Sequence, residues 1–175
     1  MNLPNLLSLF RLFLTLFFII LVAYGRFRLA LLLFVLQAVS DMLDGFFARR
    51  MDAKTNLGSY LDPLADKVML ASSYIVLCLQ GIIPLWLVVM VLVRDLVISL
   101  GFLILLKRGL TTSPVPSFIS KTTTVFQMLT IVYVLWSYDR SLESFFYWIT
   151  ALLTAVSGIQ YVVAGWVVFS RKEAV

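Results

Sequence analysis

Apolar residues run in long blocks along this chain, and polar residues collect between them. Six blocks stand out: Leu12–Tyr24, Leu29–Phe47, Pro63–Leu79, Ile82–Leu106, Ser117–Trp136 and Phe145–Phe169. Most approach the ~20 apolar residues that a helix needs to cross a bilayer. The first becomes a full span only if the residues before it join in. Ahead of it, Met1–Leu9 places Leu3, Leu6 and Leu7 on one helical face, which predicts a short interfacial helix. Arg11 follows one turn later and is expected near the headgroups. The connections are short, as in an antiparallel bundle. Alternating strands of ~10 residues, the mark of a membrane β-barrel, are not seen. The predicted fold is therefore all-α: a polytopic membrane bundle of about six transmembrane helices with a short N-terminal interfacial helix, forming one domain over residues 1–175.

Composition strengthens this reading. The 175 residues are 62% hydrophobic, with a mean hydropathy of +1.01, whereas soluble domains lie nearer 45–50% apolar. Too little polar surface is left to cover a soluble globule. The net charge of +5 would suggest nucleic acid in a soluble protein. Here no basic stripe with interleaved aromatics stands outside the apolar blocks, so nucleic acid is not an expected partner. No small-residue cleavage site follows Tyr24, so the first block does not read as a signal peptide. The lone Cys78 lies inside an apolar block and excludes an intrachain disulfide. With no histidine in the chain, a general base must be Asp, Glu, Lys, Tyr or Cys.

Charge also sets the orientation. One set of connections holds Arg49, Arg50 and Lys54, then Lys107, Arg108 and Lys121, then Arg171 and Lys172. The other holds Arg26 and Arg28, the uncharged Gln80-Gly81 turn, and Arg140. The richer set is assigned to the cytoplasm. Both termini then lie there, in agreement with an even number of spans. In a bacterium the membrane would be the inner, cytoplasmic one. Gly101, Gly158 and Gly165 fall inside apolar blocks, where small residues usually permit close helix contact.

The chemistry concentrates between Asp41 and Asp66, on the cytoplasmic side of this scheme. Asp41, Asp44, Gly45 and Ala48 are spaced i, i+3, i+4, i+7 and share one helical face. Gly58, Asp62 and Asp66 are spaced i, i+4, i+8 and share another. A short loop between the two helices makes them antiparallel neighbours, so four carboxylates can meet in one site. Such a cluster raises its own pKa values and is costly without compensation. Arg49, Arg50 and Lys67 could offset part of the charge. Hard divalent cations do it better, since Mg²⁺ takes a few carboxylates together with phosphate oxygens. Blander readings exist for single residues. Asp62 before Pro63 looks like an N-cap with proline at the first helical position; alternatively the helix runs through Pro63 and loses the bond to Ser59.

Taken together, these positions resemble the signature of the CDP-alcohol phosphatidyltransferase family, Asp-x2-Asp-Gly-x2-Ala-Arg-x8-Gly-x3-Asp-x3-Asp. It is filled by Asp41, Asp44, Gly45, Ala48, Arg49, Gly58, Asp62 and Asp66. The Pro4-Asn5 start, the following Arg11, the six spans and the length fit the same family. The resemblance implies an enzyme that moves a phosphatidyl group from a CDP-linked lipid, CDP-diacylglycerol, to an alcohol and releases CMP. It implies two Mg²⁺ or Mn²⁺ ions held by Asp41, Asp44, Asp62 and Asp66, with Asp66 as the general base. It assigns the CDP moiety to Asp44, Gly45, Ala48, Arg49 and Gly58. It implies a homodimer.

For the acceptor, the chain is similar to the glycerol-type branch, which holds phosphatidylglycerophosphate synthases and cardiolipin synthases. The expected acceptor is glycerol-3-phosphate, with Arg94 and Lys121 as candidates for its phosphate. The alternative is phosphatidylglycerol. Arg94-Asp95 stands where the first type often has Arg-Glu, no arginine follows until Arg108, and Phe118-Ile119-Ser120-Lys121 looks more like the second type. Arg94 and Asp95 could equally be an intramembrane pair, and Lys121 an interface anchor. Two other classes compete. A prenyltransferase would also use Asp-rich motifs, but the Gly, Ala and Arg positions fit the first signature. A Mg²⁺ or other cation transporter would place its carboxylates near the midplane, often between inverted repeats; here they sit near one end of their spans, and no repeat is evident.

Overall fold

The computed structural model describes the backbone of residues 3–50, 58–107, 118–137 and 140–172, and side chains within 10–40, 66–101, 118–137 and 141–165. Six α-helices occupy these residues: α1 (Leu3–Ala23), α2 (Phe27–Arg50), α3 (Gly58–Leu79), α4 (Leu85–Lys107), α5 (Phe118–Trp136) and α6 (Glu143–Lys172). A single 3-10 turn, Arg140–Leu142, precedes α6. Among the described residues there is no strand. The helices fall on the six apolar blocks. One expectation is corrected: α1 is a single helix of 21 residues from Leu3, not an interfacial segment followed by a span. Nothing after Pro4 breaks it, because Ser8 and Arg11 are both compatible with a helix interior.

Two glycines end helices by the same device. Gly25 has φ +70° and Gly81 φ +70°, a region that L-residues with a Cβ avoid. The Arg26 N–H donates to Leu21 O at 2.8 Å and the Gly25 N–H to Val22 O at 3.0 Å. The Ile82 N–H donates to Leu77 O at 3.0 Å and the Gly81 N–H to Cys78 O at 2.8 Å. Both pairs are Schellman caps, which satisfy the last carbonyls of α1 and α3.

The chain divides into two compact units. The first comprises residues 1–83 and 131–140. In it α1 packs on both α2 and α3. Arg11, Thr15, Phe18 and Val22 form one stripe along α1 and are all buried. Opposite lie Ala30, Phe34 and Gln37 of α2, and Tyr74 and Leu77 of α3, also buried. The Phe18 and Phe34 rings sit 5.8 Å apart.

The second unit comprises residues 84–130 and 141–175. Here α4 packs on α6, with Trp86 and Trp148 in ring contact at 5.3 Å. Its interior carries a polar seam. Thr123, Gln127 and Thr130 of α5 and Thr150, Thr154 and Ser157 of α6 are all buried. The Thr130 and Thr150 hydroxyls meet at 2.7 Å, Gln127 Nε2 donates to Thr154 Oγ1 at 3.4 Å, and Thr123 Oγ1 donates to Leu153 O at 3.1 Å. Large apolar side chains such as Val93, Leu129, Leu152 and Val163 are exposed instead. Polar contacts inside and apolar surface outside is how helices associate where the surrounding medium is itself apolar. The stretches Phe118–Trp136 and Glu143–Gly165 are long and apolar enough to cross a membrane.

Truncating Phe18 to Ala should leave a cavity at the α1–α2 contact. The expected loss is about 3 kcal/mol, read as an earlier unfolding transition by circular dichroism in detergent; an unchanged transition would mean that Phe18 does not hold the unit together.

Candidate active site

The helical backbone of α2 runs through Asp41, Asp44, Gly45, Ala48 and Arg49, and that of α3 through Gly58, Asp62 and Asp66. The expected helical registers therefore hold. On α2 the buried positions Ala30, Phe34 and Gln37 continue in the same register to Asp41, Asp44 and Ala48. On α3 the buried stripe Leu70, Ser73 and Leu77 continues back to Asp66 and Asp62. The side chains of Asp41, Asp44, Gly45, Ala48, Arg49, Gly58 and Asp62, and with them the expected meeting of four carboxylates, lie outside the described residues. The N-cap reading of Asp62 is corrected, because α3 begins four residues earlier, at Gly58. Pro63 is then internal and has no N–H to offer the Ser59 carbonyl.

Asp66 is the signature carboxylate whose surroundings are described. Its Oδ1 accepts from Arg11 Nη1 in an ion pair. Arg11 is only 2% exposed. The Asp66 side chain is 38% exposed, so it is held from the buried side and open on another. The segment carrying Arg11 is itself tied down. Its carbonyl accepts from Thr15 Oγ1 at 2.9 Å and from Gln37 Nε2 at 3.0 Å. Gln37 Nε2 also donates to Thr15 Oγ1 at 3.0 Å. This cluster joins α1, α2 and α3. The sequence carried a signal for it, since Arg11 shares its helical face with Thr15, Phe18 and Val22, all on the packed side.

In the second unit, Arg94 is 8% exposed and its guanidinium is heavily engaged. Nη1 donates to Asp95 Oδ1 at 2.6 Å. Nη2 donates to Ser120 Oγ at 2.6 Å and to Ser157 Oγ at 3.0 Å, and Nε reaches Ser157 Oγ at 3.3 Å. The pairing considered from sequence is thus present, joined by two serines that sequence reasoning did not select. Gly158 lies beside the arginine stem: a Cβ there would meet Arg94 Cγ at 3.8 Å, an ordinary contact. Gly101 and Gly165 have no such neighbour among the described residues. Lys121, next to Ser120, is exposed.

A cavity of about 520 Å³, lined in part by Arg26, Arg28, Trp136 and Ser137, lies at the start of α2. Arg28 precedes Asp41 by thirteen residues, or about 20 Å of helix at 1.5 Å per residue. The cavity therefore belongs to the other end of α2 from the aspartates.

These features define a class: a chain helical throughout its described residues, with apolar outer faces, polar contacts buried among apolar side chains, and a pair of helices bearing carboxylates in register. Comparison with known proteins places it more closely. A model of the CDP-alcohol phosphatidyltransferase family matches residues 1–156. A protein of Aquifex aeolicus named CDP-diacylglycerol–glycerol-3-phosphate 3-phosphatidyltransferase is 37% identical over 174 residues, covering 94% of this chain and 96% of its own. An Escherichia coli protein of the same name is 34% identical over 173 residues, covering 93% and 94%. A Drosophila melanogaster protein named "Probable cardiolipin synthase (CMP-forming)" is 31% identical over 183 residues, covering 93% of this chain and 57% of its own. The chain belongs to the CDP-alcohol phosphatidyltransferase family.

Arg94 is buried and Asp95 nearly so, so removing the guanidinium takes a close opposite charge away from a part-buried carboxylate. Arg94→Met should cost about 3 kcal/mol in unfolding free energy. Adding Asp95→Leu should recover much of it. A single variant that unfolds no earlier than the parent would show that this pair does not stabilise its unit.

Proposed function

We propose that this chain transfers the phosphatidyl group of CDP-diacylglycerol to glycerol-3-phosphate, giving phosphatidylglycerophosphate and CMP. The observation that carries the chemistry is Asp66. It is a half-exposed carboxylate held from the buried side by Arg11, in register with the other signature aspartates, in a chain without histidine. The names borne by the Aquifex and Escherichia relatives support the substrates.

In the reaction, the acceptor hydroxyl oxygen forms a bond to the phosphatidyl phosphorus while the bond from that phosphorus to the CMP oxygen breaks. Asp66 takes the hydroxyl proton, and CMP departs with the electron pair of the broken bond. Gly45, Ala48 and Gly58 leave room for the nucleotide, and Asp44 and Arg49 contact the CDP moiety. The donor set for a metal is all carboxylate, with no histidine and an isolated cysteine, which suits a hard oxygen-loving cation and not a thiolate metal. Asp41, Asp44, Asp62 and Asp66 would hold two such ions, Mg²⁺ or Mn²⁺. When bound, they would offset the charge of the diphosphate and of the oxygens that change partners.

In this reading the chain is one domain of six spans, with the aspartates and both termini on the cytoplasmic side, where the Lys and Arg excess lies. The acyl chains of the donor stay in the bilayer while its nucleotide head reaches the aqueous site. The working form is a homodimer. Arg94 and Lys121 remain the candidates for the acceptor phosphate. The exposed Lys121 at the start of α5, in its Phe118–Lys121 context, favours a second acceptor, phosphatidylglycerol, which would make cardiolipin.

Purified protein given CDP-diacylglycerol and Mg²⁺ should release CMP with glycerol-3-phosphate. Release with phosphatidylglycerol instead would select the second reading. Chelation by EDTA should stop release, and Mg²⁺ or Mn²⁺ should restore it; Mg²⁺ flux into sealed vesicles without lipid substrate would favour a transporter. Asp66→Asn should lower CMP release by at least about 100-fold in folded protein, and substantial remaining turnover would remove Asp66 from the role of base.

A further inference from the structure

The signature accounts for Asp66 but not for the side chain that grips it. Arg11 belongs to α1, 55 residues away in sequence, and lies outside the eight signature positions. A guanidinium taken out of water is costly, and a buried ion pair is often no more stabilising than apolar residues of the same volume. Its surroundings make the cost higher. Gln37 is fully buried, and its Oε1 has no hydrogen-bond partner, a deficit that costs stability. A Leu or Met at position 37 would avoid that deficit. What the glutamine does supply is a donor to the Arg11 carbonyl, shared with Thr15. Two side chains on two helices thus fix the backbone of the residue that holds Asp66.

We infer that Arg11 is a positioning residue for the transfer: it clamps the Asp66 carboxylate from the buried side and aims its open side at the acceptor hydroxyl. This rests on the reading of Asp66 as the base. The geometry divides the labour. Arg11 holds Oδ1 from a site that solvent barely reaches, while the Asp66 side chain as a whole is 38% exposed. The planar guanidinium gives direction as well as charge, which an ammonium gives less well. Arg11 does not need to touch either substrate, so its loss should affect the rate of transfer and not the capture of the donor.

The test uses the full chain in detergent with CDP-diacylglycerol, Mg²⁺ and glycerol-3-phosphate. Arg11→Gln should lower kcat on the order of 100-fold, as a small misplacement of a reacting group does. Its KM for CDP-diacylglycerol, and its affinity for that lipid by calorimetry, should match the parent. Arg11→Lys should recover part of the kcat. A variant Arg11→Gln that melts earlier but keeps its kcat would overturn the inference and leave Arg11 as a structural staple. Parallel losses in kcat and lipid affinity would also overturn it, since Arg11 would then serve donor binding. Should Arg11→Gln not fold, Arg11→Lys carries the test, and a parent-like kcat there would overturn orientation by the guanidinium. A parent chain that releases no CMP with either acceptor overturns the transferase reading and this inference with it; an active parent beside an unimpaired Arg11→Gln overturns the inference alone.

Discussion

A charged or polar group inside a bundle of apolar helices has to find its partner within the protein, because neither lipid nor a packed core will supply one. Both units of this molecule are built around that constraint. In the first, Arg11 is buried between helices and meets Asp66, while Thr15 and Gln37 take up its carbonyl. In the second, Arg94 is buried and meets Asp95, Ser120 and Ser157. Apolar side chains fill the space around these polar contacts and also cover the outer faces. Packing of α1 on α2 and α3 by Phe18, Phe34 and Leu77 fixes the distance between helices. The polar pairs fix their register, because a hydrogen bond tolerates far less sliding than an aliphatic contact.

This division explains what could be read from the chain itself. Helix positions were legible because each apolar block had to be about a bilayer long or a core helix wide, and Gly25 and Gly81 mark their ends with the one residue that accepts the left-handed cap. The carboxylate registers on α2 and α3 followed from helical spacing alone. The continuity of α1 was not legible, because the Leu3, Leu6 and Leu7 face suits an interfacial segment as well as the start of a longer helix. The burial of Arg11 was hidden for another reason: a partner 55 residues away helps to make burial of an arginine tolerable, and such a partner is a tertiary fact. Asp62-Pro63 was ambiguous for a related reason. The dipeptide carries a local capping preference, and the helix overrides it by starting at Gly58. Ser120 and Ser157 were invisible because a serine in an apolar block has no distinguishing pattern until the arginine beside it is seen.

The two buried arginines meet the same physical demand but leave their carboxylate partners in different states. Asp95 is 13% exposed, and the guanidinium that holds it is also tied to two hydroxyls. That arrangement spends the charge of Arg94 on internal contacts and leaves little room for an incoming group. Asp66 is 38% exposed and clamped from behind. A base must be both fixed and reachable, since a proton is taken only over hydrogen-bond distance from a positioned oxygen. In a chain without histidine, a carboxylate with a buried anchor and an open side meets both conditions. Asp95 meets only the first. The same comparison bears on the acceptor. For Arg94 to receive a phosphate, it would have to keep its serine and aspartate contacts and bind with what remains of its donors. Those contacts tie α4 to α5 and α6, whereas Lys121 is exposed.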